Sequence, residues 1–256
     1  MALLEVDQIE LSFSGLKVLK NVSVSIEEKQ ILAIIGPNGA GKTSLFNCIS
    51  GVYKPQKGKI DFEGQNLVEL KPFEVAKLGV SRMFQNLALF ENLTVQENLL
   101  LGCNNLYKAG IFEQLFFTAS YRKQELEMIE KVEWIIDFLD LAKYRQSLVM
   151  TLPYGILKRI ELGRALLMNP KLLLLDEPAA GLNQEESEDI ARYIIDIRDQ
   201  MGISQILIEH ELRMVLELAD NIAVLDFGQK IADAPPAEIM NDQKVKDAYL
   251  GKAANL

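Results

Sequence analysis

The stretch "ILAIIGPNGAGKTS", Ile31 to Ser44, decides how this chain folds. Five apolar residues stop dead at Gly36, which reads as a strand buried on both faces. Residues 36–43 then satisfy the pattern G-x-x-x-x-G-K-[ST]. An apolar-periodic segment from Ser44 to Ile49 follows as a helix, and Gly51 stops it. In the loop Gly36, Pro37, Asn38, Gly39, Ala40, Gly41, the glycines let the backbone wrap closely enough for N–H groups to reach phosphate oxygens. The helix opened by Lys42, Thr43 and Ser44 adds its positive end. Lys42 supplies a point charge for β- and γ-phosphates, and the Thr43 hydroxyl is placed for Mg²⁺. The stretch predicts a nucleotide triphosphate site at the end of a buried strand.

A second stretch, "LLLLDEPAAGLN" (172–183), runs four leucines into two adjacent carboxylates. An α/β sheet binds its ligands beyond the carboxyl ends of its strands, so this tip and the phosphate loop share one crevice. A bare buried carboxylate is costly and needs a partner. Asp176 is expected to hold Mg²⁺ through water. Glu177 is left to polarise an attacking water as general base.

Around these two strands the chain alternates strand and helix. Val22, Val24 and Ile26 alternate with serines, "KPQKGKIDFEG" (54–64) reads as turn, strand, turn, and "VSRMF" (80–84) as a strand ending at Gln85. Pro72 starts a short helix. Thr94 and Glu97 form a capping box for a helix that Gly102 ends. From Arg122 to Leu141, charged residues alternate with Leu126, Ile129, Ile136 and Leu139 at helical spacing, which predicts an amphipathic helix of a small helical subdomain. "GIFEQLFF" (110–117) is an apolar loop that packs on this helix or meets a partner. "ILKRIELGRALLM" is helical and closes at Asn169-Pro170; Asn183 and Glu186 cap a helix running to about Gln200. "ISQILIE" and "NIAVLDF" are further strands. The expected fold is an α/β P-loop NTPase (RecA-like) core with a mostly parallel sheet, N-terminal antiparallel strands and an inserted α-helical subdomain. Residues 1–88 and 166–256 would form the core and 89–165 the insertion.

Composition removes other classes. The chain has 256 residues and a net charge of −9, so a basic nucleic-acid footprint is not expected. Two cysteines without a CxxC and a single histidine argue against a disulfide framework or zinc cluster, and fit a reducing compartment. The N-terminus lacks a signal-peptide pattern, and no apolar run approaches the ~18 residues of a membrane helix.

Taken in order, the phosphate loop, Gln85, a helical insertion, "LPYG" (152–155), "LLLLDE", "AGLN" and His210 resemble the nucleotide-binding subunits of ABC transporters, from Phe13 to Gly251. The resemblance implies ATP and Mg²⁺ as cofactors. It implies that Phe13 stacks on adenine, that Gln85 touches the metal and the water and senses a membrane partner, and that His210 contacts the γ-phosphate. Asn183 stands where the family usually has aspartate. The family's Leu-Ser-Gly-Gly-Gln signature is here Leu152, Pro153, Tyr154, Gly155, Ile156. The serine is lost, but a glycine turn into a helix start at Ile156 remains, so Pro153, Tyr154 and Gly155 are expected to face the partner's nucleotide.

"DEPAAGLN", "LIEHEL", "LPYG" and the tail "APPAEIMNDQKVKDAYLG" further resemble ATPases of branched-chain amino-acid importers. That implies transmembrane permease subunits, a second ATPase subunit bound head-to-tail, an external solute-binding protein, no nucleic acid, and a peripheral place on the cytoplasmic face of the inner membrane. A non-transport ABC ATPase and a weakly hydrolysing regulatory subunit are the alternatives, the latter because of the altered signature.

Overall fold

The computed structural model describes residues 2–83, 88–103 and 119–250. It opens on a long hairpin, β1 (Ala2–Phe13) and β2 (Leu16–Glu27), turned at Ser14-Gly15, where both residues have positive φ. Then come β3 (Ile31–Ile35), α1 (Lys42–Ile49), β4 (Lys57–Phe62), β5 (Gln65–Asn66), α2 (Pro72–Lys77) and β6 (Val80–Met83). The middle is helical: α3 (Val95–Gly102), α4 (Ala119–Phe138) and α5 (Tyr154–Leu167). The chain continues through β7 (Leu172–Asp176), α6 (Gln184–Met201), β8 (Ser204–Ile208), α7 (Leu212–Leu218), β9 (Asn221–Asp226), β10 (Gln229–Ala234), α8 (Pro236–Ile239) and α9 (Gln243–Leu250).

Two sheets form. One is antiparallel, in the order β2-β1-β4-β5; the other runs β10-β9-β3-β8-β7-β6. In the second, every neighbouring pair is parallel except β10 with β9. The fold is therefore the expected mostly parallel α/β sheet with N-terminal antiparallel strands.

The leucine strand shows why the parallel sheet is covered on both sides. Successive strand side chains point to opposite faces. Leu172 and Leu174 enter the core between the two sheets, with Leu4, Val6 and Phe46. Leu173 and Leu175 enter the opposite core, with Leu99, Val132, Ile160 and Ile194 from the helices. All four are fully buried, each worth about 1.5–3 kcal/mol against exposure.

Three details add to the sequence reading. Helix α4 buries Met128, Val132, Ile135 and Ile136, with Leu139 just beyond it, while Leu126 is 61% exposed and Ile129 36%. Apolar residues lie around most of that helix, so spacing alone does not choose its buried face. Gly102 ends α3 as expected; a Cβ there would stand 2.7 Å from the Arg164 carbonyl, so the glycine also permits α3 to lie close on α5. The polar strand β10, "QKIADA", had no apolar signal to announce it. Gln85 and the stretch 110–117 lie outside the described residues.

Candidate functional site

Strand β3 delivers the chain into the phosphate loop through Gly36, at φ 146°, where a Cβ would overlap the Leu225 carbonyl. Gly41 is left-handed at φ 102°, and a Cβ there would lie 2.9 Å from Leu19 Cδ2. Both positions therefore require glycine twice over, for conformation and for space. Helix α1 starts at once, with Gly41 as N-cap, no side-chain cap and no acid in its first turn. Its positive end is left for a ligand. The buried Lys42 ammonium donates to the carbonyls of Gly36 (2.6 Å) and Pro37 (3.2 Å). A cleft of about 230 Å³ is lined by residues 38–44, Val18, Glu177 and His210. The loop and Glu177 of the second motif thus meet in one place.

The acid pair sits one strand further along, on β7, beyond β8. Asp176 is 1% exposed, and its Oδ2 accepts from Arg82 Nη2 at 2.5 Å. Its Oδ1 is buried without a hydrogen-bond partner. A buried carboxylate oxygen without a partner costs free energy, and it suits a hard cation or a water held by one. Among the described residues no cluster of three or more His, Cys, Asp or Glu forms a metal cage. Mg²⁺ takes one or two protein oxygens and completes its octahedron with waters and phosphates. Thr43 and Asp176 fit that demand.

Glu177 follows Asp176 in the left-handed region, at φ 53°. Its N–H donates to the Ile208 carbonyl at 2.9 Å, which holds the strained residue against β8. Its Oε1 lies 2.9 Å from His210 Nε2. Glu209 was not visible from sequence as a site residue. It is 5% exposed, and its carboxylate accepts from the N–H groups of Ala179 (2.9 Å) and His210 (3.0 Å). It thereby ties the loop after β7 to the loop after β8. Burial pushes the Glu209 carboxyl up, and the two N–H groups only partly offset it.

Phe13 and residues 153–155 are not among the residues that line this cleft. Phe13, at the end of β1, is 44% exposed and meets Tyr53 edge-on at 5.0 Å. The cleft wall from this hairpin is Val18, not Phe13. Pro153 is the N-cap of α5, which begins at Tyr154, two residues earlier than expected. The Ile156 N–H is taken by the Pro153 carbonyl at 3.0 Å, so any open donors lie before it. No acid occupies the first turn of α5. Gly155 is buried, and a Cβ there would overlap the Glu186 carboxylate.

A family model described as "ABC transporter" matches residues 19–180, and one described as "Branched-chain amino acid ATP-binding cassette transporter" matches residues 229–255. The chain is 37% identical over 251 residues to the high-affinity branched-chain amino acid transport ATP-binding protein BraF of Pseudomonas aeruginosa, covering 98% of each. It has the same identity and coverage with LivG, of the same description, from Escherichia coli. Among solved structures it resembles a nucleotide-free ATP-binding cassette from an ABC transporter, with a TM-score of 0.84, 35% identity, and coverage of 97% of this chain and 99% of the other. It also resembles an ABC-transporter cassette in its ADP conformation, with a TM-score of 0.85, 34% identity, and coverage of 98% and 99%. The motifs of the cleft and this likeness along the chain lead to one conclusion: the protein belongs to the ABC transporter ATP-binding family and is an ATPase.

Proposed function

We propose that this chain powers an importer of branched-chain or other hydrophobic amino acids. The observation that carries the chemistry is the Glu177–His210 pair at the edge of the phosphate-loop cleft. Likeness to amino-acid transport ATPases over both the core and the C-terminal segment supports the solute class.

In this reading the loop N–H groups and Lys42 grip the β- and γ-phosphates. Thr43 and Asp176, with Gln85, hold Mg²⁺, which when bound neutralises charge on those phosphates. Glu177 takes the proton of the attacking water, and His210 orients Glu177 and reaches the γ-phosphate. Phe13 lies under adenine. A second copy or a homologous subunit docks head-to-tail, so that the turn Pro153, Tyr154, Gly155 of one subunit closes on the nucleotide of the other. Residues 89–165 act as the helical subdomain and 1–88 with 166–256 as the core. Among the described residues no helix is long and apolar enough to cross a membrane. Likeness to amino-acid transport ATPases supports a chain that works through transmembrane permease subunits, from the cytoplasmic face, with a solute-binding protein selecting the cargo. Gln85 links the cleft to the permease, so Gln85→Ala would leave ATP binding intact and lower the solute moved per ATP.

Proteoliposomes holding the permease and this ATPase, supplied with the binding protein, test the proposal. Labelled leucine or valine should accumulate only with ATP inside the compartment facing this subunit. Uptake of polar amino acids in preference to these would refute the solute class, and ATP-independent uptake the role itself.

A further inference from the structure

The side chain of Arg82 reaches the metal-side carboxylate from a strand that carried no chemical motif. Arg82 is the third residue of β6 and pairs in register with Leu174, two residues before Asp176. Its side chain is 8% exposed and that of Asp176 is 1%. One arm, Nη2, donates to Asp176 Oδ2 at 2.5 Å, and the other, Nη1, donates to Asn47 Oδ1 at 2.6 Å. The guanidinium also lies 5.6 Å from the Phe46 ring centroid. Phe46 and Asn47 belong to α1, the helix that the phosphate loop opens.

A planar fork held at two acceptors and over an aromatic ring has little freedom. It fixes the rotation of the Asp176 carboxylate, and with Oδ2 engaged, the oxygen left over is the partnerless Oδ1. We infer that Arg82 is the positioning residue of the metal site: it locks Asp176 through Oδ2 so that Oδ1 is presented to the cation or its water. The same side chain joins three parts that must agree in place, namely the strand leading to Gln85, the phosphate-loop helix and the tip of β7. This rests on the reading of Asp176 as a Mg²⁺-side ligand. Orienting partners of this kind typically change metal affinity about 10–100-fold when removed.

The opposite role is also physically open to a cation beside a carboxylate: Arg82 would compete with the metal for Asp176. The two predict opposite signs. The test uses the full-length chain saturated with a non-hydrolysable ATP analogue and titrated with Mn²⁺ by electron paramagnetic resonance, beside nucleotide affinity measured in EDTA. Arg82→Met should raise the Mn²⁺ Kd about 10–100-fold and leave affinity in EDTA unchanged, a split that general loosening of the fold does not produce. Arg82→Lys keeps the charge without the fork and should recover part of the loss. Because Arg82→Met strands a buried carboxylate and risks misfolding, Asn47→Ala is the second variant. It frees the fork while keeping the ion pair, and should raise the Kd in the same direction by less. An unchanged or tighter Kd in Arg82→Met, or an unchanged one in Asn47→Ala, overturns the inference, as does an equal loss in EDTA. Asp176→Asn separates the two layers. If it binds Mn²⁺ like the parent, the reading of Asp176 has failed; if it loses Mn²⁺ and Arg82→Met does not, only the role of Arg82 has.

Discussion

Glu177 and His210, 33 residues apart in sequence, meet at 2.9 Å between Oε1 and Nε2. They come from the ends of neighbouring parallel strands, β7 and β8, so the sheet register sets their separation. A carboxylate oriented by an imidazole and placed beside a phosphate loop is arranged to accept a proton from water. Glu177→Gln should therefore keep nucleotide affinity and lower turnover about 10²–10⁴-fold. Steady-state phosphate release and equilibrium nucleotide binding, measured together, decide this; near-normal turnover would move the base elsewhere.

Lys42 is expected to act on binding rather than on the chemical step. Its ammonium rests on the Gly36 and Pro37 carbonyls, already inside the loop where the phosphates arrive. Lys42→Ala removes charge-assisted hydrogen bonds worth about 1.5–3 kcal/mol, so nucleotide affinity should fall about 10–100-fold. Retained affinity with lost turnover would assign the lysine to the transition state alone.

Gly155 is constrained from within its own chain. A methyl group there would overlap Glu186, whose carboxylate accepts from the Asn183 N–H at 3.1 Å in the capping box of α6. Gly155→Ala should cost about 1–3 kcal/mol of stability. In Gly155→Ala/Glu186→Ala the overlap is gone, so the double variant should be more stable than the sum of the two losses. Denaturant unfolding of the three variants gives the cycle, and strict additivity would contradict the contact.

Tyr154 allows a cleaner test of the trans turn, because it is 42% exposed. An aspartate at this helix start favours the isolated chain through the helix dipole, by about 0.3–1 kcal/mol. In the proposed head-to-tail pairing it would also repel a partner's γ-phosphate. Tyr154→Asp should keep or raise the melting temperature while abolishing ATP-dependent dimerisation of a Glu177→Gln background. Dimerisation at parental ATP concentrations would remove the turn from the nucleotide interface.

Glu209 gives the molecule a pH signature. Its folded pKa is raised by burial above the usual carboxylate value, which is about 4.3 in unfolded chains. For a raised pKa the stabilising contribution is full below the unfolded value and is lost as pH climbs through the folded value. Glu209→Gln removes that loss, so its melting temperature relative to the parent should increase with pH across this window and then level off. A difference that is flat in pH, or that shrinks as pH rises, would mean the carboxyl is not held protonated.

Much of the site was readable because its signals are local. A glycine pattern between a strand and a helix, and two acids after four leucines, each lie within a dozen residues. The caps Thr94–Glu97 and Asn183–Glu186 were legible for the same reason, and both form as expected. What stayed hidden depends on long separations. Arg82 and Asp176 are 94 residues apart, and an arginine in "VSRMF" looks like any strand residue facing solvent. Glu209 was overshadowed by the adjacent histidine. The buried face of α4 is not set by spacing alone, because packing against α3 and α5 selects among several apolar stripes. The edge contact of Phe13 with Tyr53 is likewise a long-range pairing that no local pattern announces.

The division of Leu172 to Leu175 between two cores has a dynamic consequence. A strand gripped from above and below cannot shift without loosening both layers at once, so its amide hydrogens should exchange only through global unfolding. The loops that line the cleft are then mounted on a fixed post. On that view, the lifetime of the acid pair's geometry is the lifetime of the folded chain itself.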